Sequence, residues 1–240
     1  MSSQARTVVV TQSNYLPWKG YFDLINDADL CVFYDDVQFT KNDWRNRNLI
    51  KSASGSSWIT VPVGAHIHRK ICEVSIDNTH WAAKHWRTIC HSYAKAPFFD
   101  KYRDFFEDVY LRRHWDNLTS LNHHLITSIA SEFLGIKTRF ADSRQYSVSG
   151  QKGDRLLELL GLLGASTYVS GPAAKNYIDE ALFLRSGIGV TYKSYAGYPE
   201  YPQFFPPFDH RVSVIDLLFH LGPQAPDYIW GWREQAPIRS

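Results

Sequence analysis

The sequence predicts an α/β fold: a mainly parallel sheet with helices on both faces and a helical insertion. Three observations predict it. A β-branched run, "RTVVVTQ", leads through a short helix into a second apolar run, "LCVFYDD". The same strand and helix alternation returns after residue 135, and the stretch between, from about residue 79 to 134, has helical spacing. Strand, helix, strand is the βαβ unit, whose strands are parallel and whose crossover is nearly always right-handed, so the architecture is Rossmann-like.

The elements follow in order. "RTVVVTQ" has the short β-branched pattern of a fully buried strand, and "YFDLINDA" is a two-turn helix with Phe22, Leu24 and Ile25 apolar. "NLIKSASGSSWITVPVG" reads as two extended runs around Ser-Gly-Ser-Ser, an antiparallel hairpin on the edge of the sheet or beside the site. In the helical stretch Trp81, His85, Ile89 and Tyr93 recur at i+4, Ala96-Pro97 breaks the pattern, and "DNLTSLNHHLITSIASEFLG" runs from an Asp or Asn cap to a terminal Gly. "IKTRFADS" resumes as a strand, "KGDRLLELLGLLGA" as a helix and "STYVSG" as a strand ending in Gly171. "AAKNYIDEALFLRSG" then reads as a helix, "IGVTYKSY" as a strand, and "SVIDLLFHLG" as a helix with Ser213 at its N-cap and Gly222 just past its end. With no repeat and no low-complexity linker, residues 1–240 read as one domain in which 79–134 form an insertion or lobe.

Composition sets bounds on function. At 44% hydrophobic and 21% charged the chain is of the soluble globular class, and its 15% aromatic content points to thick packing or an aromatic-lined pocket. Its 26 basic and 24 acidic residues leave a net charge of +2, which argues for neither duplex nucleic acid nor a membrane as partner. The scattered, odd set Cys31, Cys72 and Cys90 suggests no disulfide framework and no zinc site. "MSSQARTVVV" lacks a signal-length apolar segment, and no run reaches the roughly 20 apolar residues of a membrane helix, so a cytoplasmic location is expected. No metal is expected. Oligomeric state stays open, a homo-oligomer included.

In parallel sheets ligands sit beyond the carboxyl ends of the strands, where the loop from Gln12 to Lys19 and the Asp35, Asp36 pair both fall. Gln12, Asn14, Tyr15, Trp18 and Lys19 are therefore substrate-binding candidates, against the alternative that Tyr15 and Trp18 only plug the helix. Adjacent residues on an extended segment point to opposite sides, so one of Asp35 and Asp36 serves a given site; Asp36 is taken as the catalytic carboxylate. The same parity groups Arg45 with Arg47 as a bidentate cradle for phosphate or carboxylate, and Asn46 with Asn48, with Gln38 alongside. Ser170, Gly171 and Lys175 form a small-residue turn that could hold an anion at a helix start. Tyr201 and Gln203, in "SYAGYPEYPQFFPPFDH", belong to an aromatic loop able to cover a pocket. His85 is carried as a second catalytic candidate, beside its reading as a hydrogen-bonded core histidine. His123 and His124, adjacent on a helix, lack metal-ligand spacing.

The segment "QSNYLPWKGYFDLINDADLCVFYDDVQF", with "WRNRN", "YVSG", "YPQ" and "SVIDLLFHLG" downstream, resembles the WbqC-like family over nearly the whole chain. The matching positions are Gln12, Tyr15, Pro17, Trp18, Gly20, Asp36, Gln38, Arg45, Arg47, Gly171 and Asp216. That family is typically bacterial and lies among genes for surface-polysaccharide or specialised-metabolite assembly, so the resemblance implies a biosynthetic enzyme. A more distant similarity links Trp18-Lys19-Gly20-Tyr21 and the segment from Phe33 to Phe39 to the two signature segments of the pantothenate synthetase branch of HIGH-type nucleotidyltransferases. Aromatics stand here where that branch keeps the histidines that stabilise developing phosphate charge. What the similarity then implies is the architecture and an amide-forming task on an already activated acyl donor.

Three functional readings follow. The first is a transferase that joins an amine to an activated acyl or aminoacyl group, acting on a small molecule that is nucleotide-linked or bound to a carrier protein, without a cofactor. The second keeps ATP or another nucleotide as a substrate, with Lys19 and Lys175 as phosphate ligands. The third is a non-catalytic binding partner in a biosynthetic pathway.

Overall fold

The computed structural model describes residues 5–77 and 80–235. Strand β1 (Thr7–Thr11) passes through helix α1 (Lys19–Asn26) into β2 (Leu30–Phe33). A hairpin of β3 (Arg47–Ser52) and β4 (Gly55–Thr60) follows, then a helical lobe of α2 (His80–Tyr93), α3 (Phe99–Glu107) and α4 (Leu118–Ser128). The alternation resumes with β5 (Arg139–Asp142), α5 (Lys152–Leu162), β6 (Thr167–Ser170), α6 (Glu180–Arg185) and β7 (Gly189–Tyr192). Helices α7 (Val214–Leu221) and α8 (Trp232–Gln235) close the described chain.

The five-stranded sheet has the order β5-β2-β1-β6-β7, and each neighbouring pair is parallel. From β1 the chain winds outward through β2 to β5, then returns to the other side of β1 for β6 and β7. The winding direction reverses between β1 and β6, where an open parallel sheet leaves a crevice at its carboxyl edge.

Side-chain alternation along the strands divides the interior into two cores. Val8, Leu30 and Val32 point to one face and pack with Leu156, Leu159 and Leu160 of α5 and Phe183 of α6. Val9, Cys31 and Phe33 point to the other and pack with Phe22 and Ile25 of α1, the helical lobe and α7. Helices therefore cover both faces.

Two local expectations are corrected. The antiparallel hairpin forms as expected, but of its two expected places the sheet edge is ruled out: it is a separate two-stranded sheet, whose turn falls at Ala53 and Ser54, ahead of Gly55 at φ +101°. The single helix expected after Gly171 is a 3-10 turn, Pro172–Asn176, followed by the short α6. Asp179 separates them: its carboxylate accepts the Leu182 N–H at 3.0 Å and caps α6, a local bond that competes with helix continuation. Elsewhere Asn117 and Ser213 cap α4 and α7 as their sequence positions predict.

Candidate active site at the carboxyl ends of the strands

Residues 12–18 leave β1 and cross to α1 along a path held by side chains and backbone from three distant segments. The Tyr15 N–H donates to Trp44 O at 3.0 Å, and Asn48 Nδ2 donates to the carbonyls of Tyr15 (3.1 Å) and Leu16 (2.8 Å). The Val214 N–H donates to Pro17 O at 2.9 Å, while the Ser213 N–H donates to Leu49 O at 2.8 Å. Leu16 sits at φ +43°, a left-handed conformation that β- and γ-branched side chains rarely adopt, and these bonds hold it there. Trp18 then folds its indole over the first turn of α1, where a Cβ at position 20 would lie 2.3 Å from the ring; Gly20 is required for that close approach.

On the far side of this loop Asp35 and His123 form a dyad. Asp35 is 0% exposed; its Oδ1 accepts the Ser13 N–H at 2.8 Å and its Oδ2 accepts from His123 Nε2 at 2.9 Å. An ionised carboxylate only accepts, so Nε2 carries a proton, and in the singly protonated ring Nδ1 presents the lone pair. The imidazole is stacked on Phe33, 3.8 Å between centroids at 18°, and keeps 21% of its side chain exposed. Next to it on α4, Asn122 Nδ2 donates to Arg45 O at 2.9 Å and to Ser13 Oγ at 3.4 Å. The Arg45 guanidinium returns to the loop by donating to Asn14 Oδ1. Ser13, Asp35, His123, Asn122, Arg45 and Asn14 thus close a ring at the ends of β1 and β2. Arg45 Nε and Asn122 Oδ1 are buried in it without a hydrogen-bond partner among the described residues.

The remaining candidates from the sequence fall into separate places. Asp36 lies in a bend past the end of β2 and takes partners other than those of Asp35, with both its oxygens engaged: Ser143 Oγ donates to Oδ1 at 2.5 Å, and Arg155 donates to Oδ2. Arg45 and Arg47 do not share a side, because residues 41–46 form turns and the strand begins only at Arg47. Arg47 instead lies over the Trp58 ring at 4.1 Å. Asn46 Nδ2 donates to Val61 O, and Gln38 Nε2 to Ile67 O, so both hold loops. Gln12 accepts the Tyr21 hydroxyl on its backbone oxygen at 3.0 Å and keeps its side chain half-buried at the strand end. Ser170 accepts from the Tyr168 hydroxyl, Gly171 lies beside Tyr195, and exposed Lys175 lies 5.1 Å from the centre of the Tyr192 ring.

Tyr15 turns into the lobe rather than the crevice. Its hydroxyl meets His85 Nδ1 at 2.9 Å and Tyr110 Oη at 2.5 Å. Burial depresses the His85 pKa to about 4, so the ring is neutral at ordinary pH. His85 also lines a cleft of about 610 Å³ between β4 and α2, whose rim carries the half-exposed Trp58.

Lys19 occupies a third environment. It is the first residue of α1, 3% exposed, and its ammonium lies 4.9, 5.5 and 5.8 Å from the ring centres of Tyr198, Tyr201 and Phe208. Nearby, Asp216 is buried on α7 and accepts from Tyr201 Oη (2.6 Å), Gln203 Nε2 (2.9 Å) and Tyr93 Oη (2.9 Å). Burial and the Asp216 charge push both phenols up, so they remain protonated donors. Tyr201 and Gln203 are therefore fastened to α7 through Asp216.

A family model described as "WbqC-like protein family" matches residues 12–228, from the strand-end loop to the turn after α7. The chain belongs to the WbqC-like family. The uncharacterized protein Rv1507c of Mycobacterium tuberculosis is 46% identical to it over 226 residues, covering 93% of this chain and 97% of that one. No solved structure matches.

In this WbqC-like protein, then, three positions that carried the resemblance in the sequence do different work: Gly20 admits Trp18, Arg45 ties the turn to Asn14, and Asp216 anchors Tyr201 and Gln203. His123 was not singled out from the sequence, where it and its neighbour His124 were weighed only as a metal pair and set aside for lack of ligand spacing. The available signal was Asp35, the other carboxylate of the adjacent pair. Among the described residues no helix is long and apolar enough to cross a membrane, and no group of three or more His, Cys, Asp or Glu is arranged to hold a metal ion.

Proposed function

We propose that this WbqC-like protein is a biosynthetic transferase that forms an amide between an activated acyl or aminoacyl group and the amine of a small molecule. The observation that carries the reading is the Asp35–His123 dyad: a fully buried carboxylate fixes one ring nitrogen of a partly exposed histidine and leaves the other to accept a proton. In the reaction the amine nitrogen attacks the acyl carbonyl carbon, the carbon–nitrogen bond forms, the leaving group departs with its electron pair, and the amine proton passes to His123 Nδ1. Burial makes Arg45 a weakly solvated cation, suited to the phosphate or carboxylate of a nucleotide-linked or carrier-bound substrate. Asp36, salt-bridged to Arg155, supports the floor of the same edge of the sheet. The nucleotidyltransferase reading would use Lys19 and Lys175 on phosphate; their ammonium groups face aromatic rings instead.

Mass spectrometry of small molecules retained through purification, followed by incubation with pooled activated acyl donors, tests the reading. A product heavier than the retained amine by one acyl group is expected. His123→Ala should lower its rate by about 10²- to 10⁴-fold, the worth of a positioned general base. Release of pyrophosphate from ATP with no acyl product would transfer the assignment to a nucleotidyltransferase.

A further inference from the structure

Lys19 combines three unfavourable placements. Its ammonium is buried; it has no hydrogen-bond partner among the described residues; and it stands at the amino end of α1, where the helix dipole repels a cation. The three aromatic rings return only part of that through cation–π attraction. A second orphan lies close by: His210 Nδ1 is buried with no hydrogen-bond partner among the described residues, and the Lys19 charge contributes to lowering that ring's pKa after burial itself. Phe208 stands between them, 4.6 Å from the His210 ring centre and within the Lys19 box. Phe208 and His210 also line a cleft of about 630 Å³ that opens between the hairpin and residues 207–211, with Lys51 and Arg211 on its walls. A structural lysine would be expected to reach a carbonyl or carboxylate, as Lys51 does with Pro207 O and Lys193 with Asp23 and Asp27.

We propose that Lys19 is a nucleophilic amine that forms a reversible imine with a small aldehyde or keto acid entering through this cleft past Phe208. The neutral Nζ attacks the carbonyl carbon, and the carbonyl electron pair moves to oxygen. Nζ's two protons and that oxygen then leave as water, and the carbon–nitrogen double bond remains. No oxidant or reductant is needed. The groups facing Lys19 are Asp216 from α7 and Glu200 and His210 from the segment before it. Burial outweighs the two carboxylates and brings the amine to about 8, within reach of its neutral form near physiological pH. A carboxylate on the carbonyl compound would meet a mixed wall, where Arg211 is paired with Asp209 and Lys51 with Pro207 O. This site is separate from the Asp35–His123 dyad and stands without it.

The test is limited glyoxylate with sodium cyanoborohydride on the full chain, with peptide mass spectrometry locating each carboxymethylated lysine. Lys19 is expected to be modified at least 10-fold faster than the exposed Lys41, Lys95 and Lys101. That preference should vanish in urea, and Phe208→Ala should speed modification at Lys19 alone. Lys19 reacting no faster than the surface lysines in the parent and in Phe208→Ala, or keeping its lead in urea, would overturn the proposal. Because trapping is read at Lys19 and acyl transfer at His123, either assignment can fail while the other survives.

Discussion

Replacing Asp35 by Asn tests the dyad without knowledge of any substrate. The amide keeps the shape of the carboxylate, and its oxygen can still accept the Ser13 N–H, now at 2.8 Å. Its NH₂ then faces His123 Nε2 across the present 2.9 Å, donor against donor. Flipping the amide would set the NH₂ against the backbone N–H of Ser13, which cannot change its role. The imidazole can: it gives up the Nε2 proton and takes one at Nδ1, losing its outward lone pair. Two hydrogen bonds to a buried charge, each worth about 1.5–3 kcal/mol, become two neutral ones worth about 1 kcal/mol, so a loss of about 2 kcal/mol is expected. At about 1–3 kcal/mol per molar, the urea midpoint should fall by roughly 1 M. Nitrogen-15 spectra of the histidine side chains should show His123 switching tautomer. An unmoved midpoint with the Nε2–H tautomer retained would refute the reasoning.

Two further outcomes are expected. Gly20→Ala places a Cβ 2.3 Å from the Trp18 ring; overpacking of about 1–3 kcal/mol should exceed the gain in helix propensity of about 1 kcal/mol, lowering Tm and weakening near-ultraviolet dichroism. His85 has a folded pKa of about 4, below its unfolded value of 6.5, so the stability it contributes is complete above pH 6.5 and is lost as pH falls toward 4. That gap is worth about 3 kcal/mol at about 1.4 kcal/mol per pH unit, and denaturant midpoints measured against pH should show the slope in the parent and lack it in His85→Gln.

The sheet was legible because its strands are short β-branched or apolar runs alternating with helices, whereas the strand order and its reversal between β1 and β6 came only with the structure. Parity led to the expectation that only one of Asp35 and Asp36 serves the site, but which one faces the crevice was set by a histidine 88 residues away on α4, a pairing no local pattern encodes. Parity failed for Arg45 and Arg47 because it assumes extended backbone, and a turn stands there. Lys19 was marked in the sequence as a substrate or phosphate contact, but its burial was not legible there, since the three rings that enclose it come from residues 198–208.

The bonds from Val214 to Pro17 and from Ser213 to Leu49 have a consequence for synthesis. A ribosome delivers residues 12–18 first, yet the segment that ties down Pro17 arrives almost a whole chain later. The nascent protein can build the strand and the hairpin early, with Trp44 and Asn48 already holding Tyr15 and Leu16, but Pro17 gains its tie only when the start of α7 has emerged. A chain that has not yet emerged past Val214 therefore lacks the tie between Pro17 and α7.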